Sequence, residues 1–222
     1  MQWKVIFVVI LVLGIFGFFL TSEFGQPYMD SVRQVFSDFT GNFIKPTNKG
    51  SFMFSIETSK LALYGLSPTR IYNSTFSATG TYRFLTVGDQ SINLKNKNEI
   101  TIFVKNLRGS FSITTDGVVK ISGESNYVET EEIIFSSNTY KRVEIEMMPN
   151  DFILSNFATS DFVMPSVSGT VQRFVGDNAD TISFQNSKIE IKDFTGNLEW
   201  RDDSTIIGGL ASLVKGDKFS FN

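Results

Sequence analysis

From Phe43 to the end of the chain, apolar and polar residues alternate with a period of two, most clearly over residues 51–56, 100–104 and 143–147. Successive side chains of a β-strand point to opposite faces, so this period is typical of strands with one buried and one wet face. Turn-forming residues separate the runs at roughly 8–12 residues, as in all-β domains. The sequence therefore predicts one all-β domain over residues 41–222, as an antiparallel β-sandwich, a jelly roll or a short β-solenoid.

Glycine-containing pairs provide the turn signals. Asp116-Gly117 is the strongest two-residue hairpin signal, and Ser122-Gly123 predicts a further turn. The late run of Ile206, Ile207, Leu210, Leu213 and Val214 has helical spacing, but Gly208-Gly209 interrupts it. A helix and a pair of strands are equally compatible with that run.

Residues 5–20 are all uncharged and either apolar or glycine, with Val5, Leu11, Phe16 and Leu20 among them. At 1.5 Å per residue, a helix over residues 3–22 covers about 30 Å, the hydrocarbon thickness of a bilayer. A cleaved signal peptide is the alternative, but its apolar core is usually about 7–15 residues long and a small-residue cleavage motif follows it. We therefore expect a transmembrane anchor at residues 1–22.

Charges flanking this segment set the expected topology. Lys4 precedes it and Glu23 follows it, which places the N-terminus in the cytoplasm and the rest of the chain outside, in a single-pass protein of the cell membrane. Residues 23–40 begin with Pro27, and Tyr28, Val32 and Phe36 follow at helical spacing. This pattern predicts a short juxtamembrane amphipathic helix or linker.

A short repeat recurs in the chain, since Asp38-Phe39-Thr40-Gly41-Asn42-Phe43 returns as Asp193-Phe194-Thr195-Gly196-Asn197-Leu198. Looser copies lie at residues 106–111 and 165–171. In a strand, the glycine lies between two apolar residues of the same face, which leaves a gap or a bend. Paired or stacked strands with a glycine at each bend are the favoured interpretation, and a ligand groove is the alternative.

The Phe-Thr-Gly-Asn runs at residues 39–42 and 194–197, together with an N-terminal anchor before a β domain, resemble the lipopolysaccharide-transport (OstA-like) β-jellyroll proteins. That resemblance implies a slab of antiparallel strands whose apolar interior carries lipid acyl chains. The chain contains 23 phenylalanines, which suit such an interior and equally suit an ordinary aromatic core.

The chain has no histidine and no cysteine, which excludes Ser-His-Asp and Cys-His catalytic sites and zinc sites built from imidazole or thiolate. A net charge of −3 argues against nucleic acid, which requires clustered basic surface. Glu129, Glu131 and Glu132 fit a solvated strand face better than paired catalytic acids, and Asp202-Asp203 fits a turn. We expect neither catalysis nor a cofactor.

Two weak site candidates remain. Asp177, Asn178 and Asp180 offer oxygen ligands for a metal ion such as calcium, although they lack the alternating spacing of a calcium loop. Asn73-Ser74-Thr75 is a glycosylation triplet, expected in a surface turn with Asn73 as its acceptor.

These observations predict a membrane-anchored extracytoplasmic β-domain with a non-catalytic binding or structural role in the cell envelope. Its partners would be the membrane, through the N-terminal helix, and an envelope protein. The alternative is a carrier or bridge for lipid or another apolar ligand, which requires an open apolar groove.

Overall fold

The computed structural model describes residues 50–92, 94, 99–149, 151–176 and 178–222. All of these belong to one compact unit, Pro46–Asn222. The predicted anchor with Val5, Leu11, Phe16 and Leu20, the predicted helix at 23–40, and Gly41 lie outside the described residues. In the described part of the chain, no helix has the length and apolar character needed to cross a membrane.

The prediction of an all-β domain is confirmed, because the described residues form one antiparallel sheet of twelve strands, with a short 3-10 helix at Lys60–Leu63. The strands are β1 Phe52–Ser59, β2 Thr69–Gly80, β3 Tyr82–Val87, β4 Gln90–Ile92, β5 Ile100–Ile113, β6 Val119–Glu129, β7 Ile134–Met147, β8 Phe152–Val175, β9 Asn178–Trp200, β10 Ser204–Ala211, β11 Leu213–Lys215 and β12 Ser220–Phe221.

The order of the strands across the sheet is β12-β11-β9-β10-β1-β8-β2-β5-β6-β7-β3-β4, and β9 also pairs with β8. Consequently β1, β8, β9 and β10 form a closed ring of paired strands. Phe54 on β1 contacts Phe194 on β9 across this ring, with 6.0 Å between the ring centroids. Both side chains are 1% exposed, so the inward face of the ring is a packed core.

Residues with positive φ interrupt the period of two inside several strands. Five non-glycine residues inside strands have positive φ: Asn73, Asn106, Asn156, Asn186 and Asp193. At each of them two outward residues follow one another before the next buried residue. Asparagine and aspartate tolerate this left-handed conformation better than other residues with a side chain. At the four asparagines the pairing register also shifts, so the extra residue is a β-bulge that bends the strand and increases its twist.

The repeated glycines lie where neighbouring backbones approach most closely. Gly196 is paired with Gly209, and a Cβ atom on Gly196 would lie 2.1 Å from the carbonyl oxygen of Gly208. Gly109 faces Gly123 on the next strand in the same way. The prediction of paired strands is therefore confirmed for these copies of the repeat, and the glycine lies at a close approach of two backbones, where a bend was predicted.

Three local predictions can be compared with the structure. Asp116-Gly117 lies in the connection between β5 and β6, as predicted. This connection spans residues 114–118, so it is longer than the predicted two-residue turn. The prediction of a turn at Ser122-Gly123 is wrong, because both residues lie inside β6. Gly123 leaves room for Gly109 of the neighbouring strand. The late apolar run forms the strands β10 and β11, so the strand alternative is confirmed.

Candidate binding surface

The solvent face of β2, β5, β6 and β7, four neighbouring strands of the sheet, carries aromatic and cationic side chains that contact one another. Alternation along each strand positions them: Ile102 and Val104 are fully buried, while Phe103 and Lys105 point to the opposite side and are partly exposed. We call this surface the Tyr–Arg face and define it by Arg70, Tyr72, Phe103, Lys105, Arg108, Tyr127, Glu129 and Tyr140.

Two arginines of the Tyr–Arg face lie against exposed tyrosines. The guanidinium carbon of Arg70 is 4.9 Å from the centre of the Tyr72 ring, and that of Arg108 is 5.1 Å from the centre of the Tyr140 ring. Tyr72 is 56% exposed and Tyr140 is 38% exposed. Such cation–π contacts contribute roughly 0.5–1 kcal/mol at exposed sites, so they orient the side chains and leave much of both rings open to a partner.

A second cluster continues the face on β5 and β6. The Lys105 ammonium lies 4.1 Å from the centre of the Tyr127 ring, and Phe103 meets the same ring edge-on at 6.2 Å. The Tyr127 hydroxyl donates a hydrogen bond of 2.6 Å to the Glu129 carboxylate. This bond raises the pKa of Tyr127 above its ordinary value. The hydrogen bond therefore holds the Tyr127 hydroxyl on the Glu129 carboxylate.

Hydrogen bonds at the bulges hold these strands in register beneath the face. The Asn106 N–H donates to Thr75 Oγ1 at 3.1 Å, and the Asn106 side-chain amide donates to Asn126 Oδ1 at 3.3 Å. Ser125 Oγ donates to the carbonyl oxygen of Lys105 at 2.7 Å. The bulges of β2, β5 and β6 thus adjoin one another, which gives the side chains above them a fixed spacing.

An acidic hollow lies beside the turn between β9 and β10. It has a volume of about 390 Å³, and its charged lining residues are Glu99, Asp151, Glu199, Arg201, Asp202 and Asp203. Asp202 and Asp203 lie in the turn between β9 and β10, as predicted. In the part of the chain that the structure describes, no three acidic residues are grouped closely enough to hold a metal ion.

The predicted oxygen-ligand site falls at the β8–β9 connection. Asp177 lies outside the described residues, while Asn178 and Asp180 are exposed residues at the start of β9. Asp180 is paired with Arg173 of β8. The metal site therefore stays a prediction.

Asn73 is exposed, which suits an acceptor of glycosylation, but it does not lie in a surface turn. It is part of β2, at a bulge with φ of 49°. Ser74, the next residue of the triplet, is buried and accepts a hydrogen bond from the Ala158 N–H at 3.0 Å. The placement in a turn was wrong because an asparagine at a bulge and an asparagine in a turn have the same sequence signal.

Sequence reasoning did not predict the Tyr–Arg face. A signal is present, since Arg70 and Tyr72, like Phe103 and Lys105, occupy outward positions two residues apart. Their assembly into one surface depends on strand neighbours far apart in the chain.

Comparison with known proteins gives no relative: no family model, no curated protein and no solved structure matches this chain. The geometry of the described residues therefore carries the functional argument.

Proposed function

We propose that this chain is a membrane-anchored, extracytoplasmic β-domain protein with a non-catalytic binding role in the cell envelope, and that it binds an envelope protein through the Tyr–Arg face. The proposal rests on the contacts between half-exposed tyrosines and arginines on one face of the sheet. Tyrosine and arginine are among the residues that contribute most of the energy in protein–protein interfaces.

The rigidity of the surface supports this proposal. Tyr72 and Arg108 stand on β2 and β5, whose bulges are hydrogen-bonded to each other, so little backbone freedom is lost there on binding. We also infer that the sheet folds as a sandwich-like body, because Phe111 of β5 meets Phe157 of β8 at 5.2 Å although β2 lies between those strands. Such a body presents the Tyr–Arg face as one stable side.

Photo-crosslinking tests this function. A photoreactive phenylalanine analogue at Tyr72 or Tyr140, in the full-length chain in its own host, is expected to give one defined adduct of higher mass. Leu61 is the matched control, because it is an exposed apolar residue, 72% accessible, outside the Tyr–Arg face. Absence of an adduct at both tyrosines, or the same adduct at Leu61, would contradict the proposal.

The proposed location has its own test. Membranes washed with alkaline carbonate should retain the chain, and protease added to intact cells stripped of their outer layers should digest the domain at residues 41–222. Release by carbonate would refute the anchor, and protection from protease would refute the outward topology.

A lipid or apolar-ligand carrier is the alternative, and Arg173 favours it. Its guanidinium carbon lies 5.6 Å from the ring centres of both Phe52 and Phe221, and its Nε atom is buried without a hydrogen-bond partner among the described residues. A cation between aromatic rings is suited to the anionic head of an amphiphile. Native mass spectrometry with lipid extraction decides: stoichiometric lipid supports the carrier, and an empty protein supports the binding surface.

A further inference from the structure

Three cations of the Tyr–Arg face have no carboxylate partner among the described residues. Arg70, Lys105 and Arg108 each lie over an aromatic ring, and no ion pair joins any of them to an acidic side chain in the described part of the chain. Lys120 of β6, by contrast, forms an ion pair of 2.8 Å with Glu146. The positive charge of the face is therefore available to a partner.

The two arginines also keep their hydrogen-bond donors free. Neither the Arg70 nor the Arg108 guanidinium donates a hydrogen bond to another described residue. A guanidinium has five N–H donors in one plane, and this fork matches the two oxygens of a carboxylate. An aromatic ring attracts the cation through its π electrons and leaves those donors available. Each arginine can therefore bind a carboxylate while it remains on its tyrosine.

The register of the sheet sets the distance between the two arginines. Arg70 is paired with Ser110, and Arg108 lies two residues from Ser110 on the same face of β5. Diagonal neighbours of this kind are about 7–8 Å apart. In an extended peptide, residues i and i+2 point to the same side and are separated by about 7 Å. The spacing therefore fits two carboxylates with one residue between them in an extended segment.

Two carboxylates adjoin these cations. Glu129 accepts the hydrogen bond of the Tyr127 hydroxyl. Glu124 is exposed and lies opposite Arg108 in register, but the Arg108 guanidinium lies on the Tyr140 ring and forms no ion pair with Glu124 in the described structure. Three cations thus face two carboxylates, so the face is positive although the chain has a net charge of −3.

We propose that the envelope-protein partner presents an acidic, extended segment to the Tyr–Arg face, with carboxylates at positions i and i+2 that are bound by Arg70 and Arg108. This inference rests on the proposed function and names the chemistry of its partner. Tyr72 and Tyr140, beside the two arginines, contact the apolar parts of the same segment. Attraction between opposite charges accelerates such an association and is screened by salt.

A fluorescent peptide of alternating glutamate and serine is the probe, with the full-length chain in mild detergent. Fluorescence anisotropy should show saturable binding that weakens about tenfold between about 50 and 500 mM NaCl. The control peptide has the same number of glutamates, each separated by two serines, so that its carboxylates alternate between faces when it is extended. It should bind about threefold more weakly or worse. Equal binding of both peptides would overturn the spacing.

Charge variants test the residues. Arg70→Gln and Arg108→Gln should each weaken binding of the alternating peptide about three- to tenfold, because a charged hydrogen-bonded contact is lost. Glu124→Gln should strengthen it about twofold, because a negative charge beside Arg108 is removed. Lys188→Gln is the matched control, since it removes the same charge from an exposed position on β9, outside the face, and should leave the affinity unchanged. Thermal melting checks that each variant is folded.

The photo-crosslinking adduct at Tyr140 separates this inference from the proposed function. Its yield should fall about fivefold when Arg70→Gln is added and stay constant with Lys188→Gln. No adduct in the chain without a charge variant contradicts the proposed function itself. An adduct that survives Arg70→Gln, together with equal peptide binding by the arginine variants and Lys188→Gln, overturns the acidic partner and leaves the proposed function standing. Preferential binding of polygalacturonate would overturn the peptide and identify an acidic polysaccharide as the occupant.

Discussion

Thr205 and Thr58 face each other on β10 and β1 and should respond in opposite ways to the same substitution. Thr205 is fully buried, and its hydroxyl has no hydrogen-bond partner among the described residues. The Thr58 hydroxyl donates to the carbonyl oxygen of Ser168 at 2.9 Å. Valine has nearly the same shape as threonine and lacks the hydroxyl, so the pair isolates the hydrogen bond.

The magnitude follows from the cost of burying a polar group. An unsatisfied buried hydroxyl costs about 1–3 kcal/mol, whereas a satisfied hydrogen bond contributes about 0.5–1.5 kcal/mol. Thr205→Val should therefore raise the free energy of unfolding by about 1 kcal/mol, and Thr58→Val should lower it by a similar amount. The two variants should differ in melting temperature by about 4–8 °C, at 2–4 °C per kcal/mol.

Urea unfolding of the full-length chain in mild detergent measures both values. The fluorescence of Trp200, which is fully buried, reports the transition of the domain. A Thr205→Val variant that is destabilised as much as Thr58→Val would refute the reasoning, because it would mean that the Thr205 hydroxyl has a partner in solution.

Two further predictions concern stability. Gly196→Ala should destabilise the domain by about 3 kcal/mol or more, because the new Cβ meets backbone; Gly176→Ala, where no atom lies within 4 Å, should cost about 1 kcal/mol in urea unfolding. Equal losses would refute the close approach at Gly196. Burial raises the pKa of Tyr82 above its ordinary value of 10.0, so the unfolded state releases the phenolic proton first and stability falls by about 1.4 kcal/mol per pH unit above pH 10 from this group. Tyr82→Phe should remove that fall when urea unfolding is compared at pH 9 and pH 11, and an unchanged slope would contradict it.

The strands were predictable because one face of each is buried, and burial leaves a period of two in the sequence. The bulges leave a weaker signal in the sequence. At Asn156, for example, the buried residues Leu154 and Phe157 are three apart, with the asparagine directly before the second. At Asn73 the buried residues Ile71 and Ser74 are also three apart, but Ser74 is polar, so the sequence there lacks the apolar signal. Two apolar residues three positions apart, with an asparagine directly before the second, therefore predict a bulge.

The order of the strands in the sheet could not be predicted from the sequence. Nothing local in β1 indicates that it lies between β8 and β10, since pairing depends on packing of the whole core. The Tyr–Arg face depends on the same information, because Arg108 and Tyr140 come from strands separated by β6. A pattern within one strand shows which side chains point outward, but their neighbours on the surface are fixed by the fold.

The position of β1 also constrains the order of folding. Phe52–Ser59 emerges early in synthesis, yet both of its partners come from the last third of the chain. The ring of β1, β8, β9 and β10 cannot close until β10 has been synthesised. Until then, β1 has unpaired edges. Long-range pairing of this kind slows folding and prolongs exposure to aggregation. A chain truncated before Ser204 would lack β10 and leave one edge of β1 permanently open.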